Sequence, residues 1–350
     1  MAHTICTFNV NNLYARYRFG ATYPGDKAKK SAAEAGWGYL PINEEGMIEL
    51  FNQEQRALAA RALARGKANP KPGDFPDVAC LQEVESLAAL RKFNKEHLGG
   101  AYAYALLIDG RDLRQIDVAI LSRLDILAVR SHMDDPDPKP EPRSPYLYSR
   151  DCLEVDLALN KSGSQRLTLL LNHFKSKYAE SAEERKRGDA RRTRQAAGVR
   201  EVVRRRFAGA AFKKEWFAVV GDLNDEPASP PVAPLAGAAS GLFDAMTRIA
   251  KPEERWTHWY RSANTVSQLD YLLLSPALAA ATSAVPEVER GAVGFARYLQ
   301  DGSVGPKKSY FHRQDSDPSP VEVDFHFPRL GKVTPEDYAS DHCPVFLDVP

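Results

Sequence analysis

The sequence predicts a mixed protein of the α/β (α+β) type, in which strands and helices alternate without the regular spacing of a doubly wound sheet. Several short apolar runs end abruptly in polar residues, which is typical of buried strands, and longer segments carry apolar residues at helical spacing. The 350 residues are 43% hydrophobic and 27% charged, so the chain can bury a large core and is too apolar to be disordered.

The net charge does not identify a binding partner, whereas the cysteines give information about the environment of the protein. A formal net charge of +1 argues neither for nor against a polyanionic ligand. Four widely spaced cysteines without a Cys-x-x-Cys pair predict free core thiols: Cys6, Cys80, Cys152 and Cys343. No apolar stretch approaches the roughly 20 residues of a membrane span. The chain enters a strand without an apolar leader, so we expect a cytoplasmic protein, or a secreted one if a signal preceded this sequence.

Hydrophobic periodicity places the elements along the chain. Apolar runs and alternation predict strands at residues 5–10, 77–83, 102–108, 115–121, 126–130, 147–159, 167–171, 217–220, 256–260 and 268–274, and at the C-terminus. Helical spacing predicts helices at residues 47–65, 84–97 and 183–207. We expect the strands at 102–108 and 115–121 to pair, the strand at 126–130 to continue their sheet, and the strands at 256–260 and 268–274 to form a hairpin.

Three segments predict loop insertions in what we expect to be a single domain spanning residues 1–350. Residues 14–46 lack periodicity, residues 133–145 contain five prolines, and residues 283–338 are rich in glycine and proline. Long loops of this kind usually carry function or are mobile. The last insertion interleaves aromatic and basic residues: Phe295, Arg297, Tyr298, Lys307, Lys308, Tyr310, Phe311 and His312.

The strand that begins at Phe217 carries the strongest functional signal. Its apolar run ends in Gly221, and Asp222 and Asn224 follow on one side of the chain. A carboxylate and an amide two residues apart can hold a hard divalent cation and a water beside a phosphate. Taken alone, the same residues also fit an ordinary polar turn after a strand.

The strand at 167–171 leads into a second polar cluster. Asn172 and His173 are followed closely by Lys175 and Lys177. A histidine at the end of an apolar strand is usually an ordinary hydrogen-bonded residue, but the neighbouring amide and lysines favour a functional role for this one. The helix that follows is dense in arginine. A solvated face with ion pairs is the favoured interpretation, and nucleic-acid backbone contact by its N-terminal part is the alternative.

Other strand ends supply further polar groups of the same kind. They are Asn9, Glu83, Asp270 within an apolar run, and Asp341 with His342. Strand ends that meet at one edge of a sheet form the usual site of α/β proteins, and acids that converge there need a counter-ion. The simplest counter-ion is a divalent metal.

In this order, the segments Leu-Gln-Glu, Asn-His-Phe-Lys, Gly-Asp-x-Asn, Leu-Asp-Tyr and Ser-Asp-His resemble the endonuclease/exonuclease/phosphatase superfamily, nearest to its bacterial nuclease branches. The resemblance spans nearly the whole chain. It implies a deoxyribonuclease I-like four-layer sandwich, with two packed, mostly antiparallel β-sheets flanked by helices. It also implies hydrolysis of a phosphate ester with Mg²⁺ or Mn²⁺.

The resemblance assigns roles residue by residue. It implies catalytic roles for His173, Asp222, Asn224, Asp270 and His342. It implies metal ligands at Asn9, Glu83 and Asp341, and phosphate contacts at Arg150, Asn172, Lys175 and Lys177. Either Asp109 or Asp112 would hold His173. Asn11 stands where many nucleases of the group have an acid, so the resemblance leaves open whether the site binds one metal ion or two.

Two enzymatic hypotheses and one other follow. The first is a nuclease, with DNA a better candidate substrate than RNA, supported by the lysines, by Arg150 and by the start of the arginine-rich helix. The second is a phosphoesterase acting on a lipid headgroup or a small phosphate ester. The third, a binding module without activity, is disfavoured because all the acidic and histidine positions are present.

Overall fold

The computed structural model describes residues 2–14, 17–19, 47–49, 53–141, 144–260, 265–293, 308–312, 320–324 and 339–350. The strands in this part are, in chain order, β1 (His3–Leu13), β2 (Tyr17–Phe19), β3 (Met47–Glu49), β4 (Val78–Val84), β5 (Tyr104–Leu107), β6 (Asp117–Ser122), β7 (Ile126–Arg130), β8 (Pro136–Glu141), β9 (Ser144–Tyr146), β10 (Leu153–Ala158), β11 (Arg166–His173), β12 (Phe217–Asp222), β13 (Phe243–Asp244), β14 (His258–Tyr260), β15 (Thr265–Ser267), β16 (Asp270–Leu274), β17 (Glu287–Val288), β18 (Lys308–His312), β19 (Pro320–Asp324) and β20 (Val345–Val349). The helices are α1 (Gln53–Leu63), α2 (Leu87–Glu96), α3 (Ala182–Arg206), α4 (Ala211–Lys214), α5 (Ala233–Ala236) and α6 (Pro276–Ala281).

Two six-stranded sheets form the centre of the fold. The first has the strand order β17-β20-β1-β4-β6-β5, and the second has the order β13-β16-β12-β11-β10-β7. Neighbours are antiparallel except for one parallel pair in the middle of each sheet, β1 with β4 and β11 with β12. These parallel pairs bring the C-terminal ends of two strands to the same edge of each sheet.

The buried side chains fall into three layers between four layers of structure. Ile5 and Val78 of the first sheet pack against Leu169 and Val220 of the second. The other face of the first sheet is covered by α1 and α2, which contribute clustered residues such as Leu63 and Phe93. The other face of the second sheet lies under α3. The structure therefore confirms the predicted four-layer sandwich.

Strand β12 shows how local sequence produces this layering. Because side chains alternate along a strand, Ala218 and Val220 face the first sheet while Phe217 and Val219 pack beneath α3. Helix α3 begins where the Ser181 hydroxyl accepts a hydrogen bond of 3.2 Å from the Glu184 backbone N–H. All four cysteines are free and buried, as predicted.

Two predicted strand pairings are wrong. Strand β7 does not continue the sheet of β5 and β6, because it pairs with β10 in the second sheet. Strand β14 pairs with β15, whereas β16 joins β12 in the second sheet. In both cases the chain moves to another sheet between consecutive strands, which alternation within a strand cannot reveal.

Two predicted element boundaries also change. The helix expected at residues 47–65 begins only at Gln53, because residues 47–49 pair with β2 as a short strand. The strand expected at 147–159 begins at Leu153, so Arg150 lies in the loop before it. Both differences depend on partners distant in sequence.

The predicted insertions are described only in part. Residues 133–145 contain most of the β8–β9 hairpin, where a loop was predicted. Most of residues 14–46 and 283–338 lie outside the described residues, including Phe295, Arg297, Tyr298 and Lys307. Among the described helices, none has the length and apolar character to cross a membrane.

We expect Gly221→Ala to destabilise the fold strongly, by about 3 kcal/mol, as measured by urea unfolding. Gly221 has φ +126°, and an added Cβ would overlap the carbonyl oxygen of Asn172 on the neighbouring strand. The matched control is Gly209→Ala, where φ is +59° and nothing lies within 4 Å, so the loss there is about 1 kcal/mol. Equal losses in the two variants would contradict the close backbone approach.

Candidate active site

Three neighbouring strands of the second sheet place three polar side chains in one row. In the register of β11, β12 and β16, His173 lies opposite Asp222, and Asp222 lies opposite Asp270. All three side chains are buried. The structure therefore brings together three of the predicted catalytic residues, which the sequence spreads over about a hundred positions.

The turn after β12 adds Asn224 to this row. Asn224 has φ +54°, and its backbone N–H donates to Asp222 Oδ1 at 2.8 Å. Its Nδ2 donates to Asp222 Oδ2 at 3.0 Å and to the carbonyl oxygen of Phe174 at 3.1 Å. The turn is compact because asparagine tolerates the left-handed backbone conformation and hydrogen-bonds locally.

The first sheet contributes Asn9 and Glu83 from its parallel pair. Asn9 Nδ2 donates to Asp222 Oδ2 at 3.1 Å, which joins the two sheets at the site. Glu83 has φ +64°, accepts from the backbone N–H of Asn12 at 3.1 Å, and lies 3.8 Å from His173 Nε2. A glutamate in this conformation is uncommon and marks a strained position.

His342 completes the arrangement from the segment before β20. Its Nδ1 lies 2.8 Å from Asp270 Oδ2, and its Nε2 lies 3.7 Å from Asp222 Oδ2. His173 Nε2 lies 3.5 Å from the same Asp222 oxygen. One carboxylate oxygen is thus surrounded by two imidazoles and two amides.

The two histidines have opposite electrostatic environments. Burial, together with Arg150 and Arg114, lowers the pKa of His173 well below its ordinary value. Burial also acts to lower the pKa of His342, but the carboxylates of Asp270 and Asp222 outweigh it and raise that pKa well above its ordinary value. His173 is therefore neutral and His342 cationic at neutral pH, a division typical of acid–base pairs.

The pKa values of the buried acids are shifted as well. Burial raises the pKa of Asp222 to about 7 against the opposing effect of His342. Burial also raises the pKa of Glu83, and the negative charge of Asp341 adds to this. Acids that repel one another in a desolvated site indicate a place for positive charge.

The donor set fits a hard divalent cation. The Glu83 and Asp341 carboxylates and the Asn9 amide oxygen are the ligand types that Mg²⁺ and Mn²⁺ accept. In the described residues, two groups of side chains have ligand atoms within 4.8 Å of one another: His258, Asp341 and His342, and Asp222, Asp270 and His342. Neither compact group includes Glu83. The negative charges of Glu83 and Asp341 repel one another, and a cation held by both carboxylates would offset this repulsion.

The predicted phosphate contacts differ in accessibility. Lys175 is half-buried and Lys177 is partly exposed, and Lys177 Nζ lies 3.1 Å from Asp225 Oδ1. Arg150 and Asn172 are buried. Arg150 donates to the Phe174 carbonyl oxygen at 2.8 Å, and Asn172 donates to the Leu170 carbonyl oxygen at 3.0 Å. These two side chains are therefore bonded to buried backbone carbonyl groups and do not line an open surface.

The predicted support of His173 by Asp109 or Asp112 is not seen. Asp112 instead pairs with Arg150 at 2.8 Å. His173 Nδ1 is buried and has no hydrogen-bond partner among the described residues. The Asp112 carboxylate binds the Arg150 guanidinium and not the His173 imidazole as predicted. The loop that begins at Asp109 is therefore connected to the site through Arg150.

The arginine-rich helix largely follows the favoured interpretation. Arg204 and Arg205 pair with Glu201, and Arg206 pairs with Glu154 and Asp156. The first turns keep three exposed cations: Arg185, Lys186 and Arg187. The same turns also expose Glu183 and Glu184, so the N-terminal end of the helix carries both signs of charge next to the loop with Lys175 and Lys177.

Sequence reasoning missed His258. Its Nε2 lies 3.7 Å from Asp341 Oδ2, and its ring centre is 4.7 Å from that of His342. The adjacent Thr257 hydroxyl accepts hydrogen bonds from the backbone N–H groups of Leu269 and Asp270, both at 3.0 Å. The only sequence signal for His258 was its position between Trp256 and Trp259. Its contact with Asp341 depends on a segment distant in the sequence.

Comparison with known proteins gives one family. The model of the endonuclease/exonuclease/phosphatase family matches residues 6–342. No curated protein matches the sequence.

Solved structures are similar to this chain in fold. The structure of humanized D. rerio TDP2 has 17% identity and a TM-score of 0.52, and covers 100% of this chain and 99% of its own. Sphingomyelinase C from Streptomyces griseocarneus has 16% identity and a TM-score of 0.51, with coverage of 100% and 99%. A Staphylococcus aureus beta toxin with bound magnesium ions has 13% identity and a TM-score of 0.51, with coverage of 100% and 99%.

We expect Asp270→Asn to lower kcat by about 10²- to 10⁴-fold and to move the alkaline limb of the pH–rate profile to lower pH. The Asp270 carboxylate raises the pKa of His342, so the cationic ring that is stable below this pKa is lost at a lower pH in the variant. The profile of kcat against pH measures both effects.

A matched control is Asp244→Asn, which removes another acid whose pKa burial raises, to about 6, and which hydrogen-bonds Gln268 rather than a site residue. The control should keep the wild-type alkaline limb. An unchanged limb in Asp270→Asn would show that Asp270 does not set the protonation of His342.

Proposed function

Because the chain belongs to the endonuclease/exonuclease/phosphatase family, and is therefore a metal-dependent hydrolase of ester bonds, we propose that it is a nuclease that hydrolyses phosphodiester bonds of DNA by in-line attack of water. The observation that carries the proposal is the environment of Asp222 Oδ2. Four nitrogens from four segments surround this oxygen, those of Asn9, His173, Asn224 and His342.

The protonation states support hydrolysis. With its pKa raised to about 7, the buried Asp222 carboxylate can accept a proton from a water near neutral pH. The neutral His173 ring, whose Nε2 lies 3.5 Å from Asp222 Oδ2, is placed to hydrogen-bond the carboxyl group once it is protonated. The cationic His342 is placed to neutralise charge on the phosphorane, since Asp270 holds its ring.

A divalent cation held by Glu83, Asp341 and Asn9 would supply a Lewis acid for the phosphate oxygens. We propose Mg²⁺ or Mn²⁺ in this role. The carboxylate and amide oxygens of these residues favour hard cations, and magnesium is bound in the similar beta toxin structure.

The surroundings of the site support an extended polyanion as substrate. Lys175, Lys177 and the three cations at the start of α3 lie beside the site, where they outnumber Glu183 and Glu184 of the same helix turn. Two apolar side chains protrude from loops that reach the site. Leu113 is fully exposed in the loop that Asp112 ties to Arg150, and Tyr178, 74% exposed, follows Lys177. Cations for the backbone and protruding apolar groups for the bases are the usual features of nucleic-acid binding.

A phosphoesterase acting on a lipid headgroup is the second candidate. It is favoured by the same exposed Leu113 and Tyr178, which could also enter a membrane surface, and by the fold shared with a sphingomyelinase. The two functions differ in their dependence on salt and on the length of the substrate.

The decisive experiment is a panel of substrates assayed with Mg²⁺ and with Mn²⁺: duplex DNA, single-stranded DNA, abasic DNA, RNA, a phosphoinositide and sphingomyelin. We expect cleavage of DNA, a fall in DNA affinity of at least tenfold between 50 and 200 mM salt, and no detectable cleavage by Asp222→Asn. Absence of DNA cleavage together with hydrolysis of sphingomyelin would refute the nuclease and favour the lipid substrate.

A second expected outcome concerns the protruding side chains. The variants Leu113→Ser and Tyr178→Ser should each raise KM for DNA by about fivefold or more, since contact with one base is worth about 1–3 kcal/mol. Both should leave hydrolysis of bis(p-nitrophenyl) phosphate unchanged. Val285→Ser is the matched control, because Val285 is exposed but lies before β17, away from these loops. An unchanged KM for DNA in both variants would exclude base contact.

A further inference from the structure

The buried face of α3 contacts two loops of the active site. Arg192 is only 1% exposed although it belongs to a helix with many solvated arginines. Its Nη1 donates to the carbonyl oxygens of Lys175 and Ser176, both at 3.1 Å. Its Nε donates to Asp225 Oδ2 at 2.9 Å, and its Nη2 pairs with Asp189. One guanidinium thus joins the loop after β11 to the turn after β12.

Gln195, one turn further along α3, fixes the same loop from its other side. Its Oε1 accepts the backbone N–H of Lys175 at 3.0 Å, and its Nε2 donates to the Leu147 carbonyl oxygen at 3.3 Å. The helix therefore satisfies both the N–H and the carbonyl group of Lys175. A backbone held at both groups fixes the point and the direction in which the Lys175 side chain leaves the loop.

Asp225 transmits the contact to the catalytic turn. It directly follows Asn224, whose amide contacts Asp222. The Asp225 carboxylate lies between Arg192 and Lys177, and its carbonyl oxygen accepts from the Tyr271 hydroxyl at 2.6 Å. Tyr271 is the neighbour of Asp270 on β16. The turn is thus held by α3 on one side and by β16 on the other.

We propose that Arg192 is a positioning residue that fixes Lys175 and Asn224 relative to each other, so that the phosphate contact and the water-orienting amide keep one geometry. Arg192 itself touches no substrate. The proposal deepens the proposed hydrolytic function and rests on it, but it holds for any phosphodiester that the site cleaves.

The guanidinium is required because its contacts diverge. Its fork reaches two carbonyl oxygens and two carboxylates, one on the helix and one on the turn. A lysine ammonium is a single point of charge and cannot span these partners, so replacement by lysine keeps the charge and loses the connection.

The test compares Arg192→Lys with Arg194→Lys. Arg194 lies on the same helix and makes a bidentate pair with the buried Asp137, at 2.7 and 2.9 Å, in the β8–β9 hairpin. Both variants therefore weaken the pairing of an arginine with a buried aspartate. We expect similar falls in Tm, but at least a tenfold loss of kcat and a severalfold rise of KM only in Arg192→Lys. The assay uses the best substrate of the panel at a temperature well below Tm.

Two further variants separate the two arms of the connection. Gln195→Leu removes the hydrogen bonds to the Lys175 N–H and to the Leu147 carbonyl oxygen but none to the Asn224 turn, and should raise KM with little change in kcat. Asp225→Asn weakens the contacts of the Asn224 turn with Arg192 and Lys177, and should lower kcat. If Arg192→Lys fails to fold, this split between KM and kcat tests the proposal by itself, because general destabilisation would not divide the two constants in this way.

The half-saturating Mg²⁺ concentration should stay within twofold in all four variants, since Glu83 and Asp341 lie on segments that Arg192 does not contact. Wild-type kcat and KM in Arg192→Lys, or equal losses of activity in the two arginine variants, would overturn the proposal. If DNA is not the substrate, the comparison on another phosphodiester still decides it.

Discussion

The burial of carboxylates at the junction of two sheets is the constraint on which the rest of the structure depends. Asp222 and Asp270 lie side by side on β12 and β16 with almost no exposure, and Glu83 approaches from the other sheet. Removing such charges from water is unfavourable unless each finds a partner. The His342 ring between Asp270 and Asp222, and the amides of Asn9 and Asn224, supply partial compensation within the chain, and a divalent cation would supply the remainder.

The two parallel strand pairs make this gathering possible. An antiparallel sheet alone would send consecutive strand ends to opposite edges, whereas β1 with β4 and β11 with β12 end together. Asn9 then reaches Asp222 across the interface, and Arg192 connects the loops behind the row from α3. The row of His173, Asp222 and Asp270 is consequently held from the first sheet and from α3, which would suit a reaction that depends on electrostatic preorganisation.

The sequence predicted the residues of the site better than their partners. Glu83, His173 and Asp222 each follow an apolar run, and Asp341 precedes the terminal one, so local pattern placed them next to strands. The pairing of β16 with β12, the contact of His258 with Asp341, and the substitution of Arg150 for His173 as the partner of Asp112 all depend on segments remote in the chain. Local periodicity contains no information about such contacts. Arg192 was likewise indistinguishable from its solvated neighbours, because burial of one arginine in a basic helix depends on what packs against it.

We infer that the acids at this junction require a divalent cation, with Glu83 as one of its ligands. Calorimetric titration of Mn²⁺ into the wild type and into Glu83→Gln tests this most directly, with Tm measured in parallel. The wild type should give a binding isotherm and a rise in Tm, and the variant should lose both because it lacks one ligand charge. Equal binding by the two proteins, or no binding by the wild type, would contradict it.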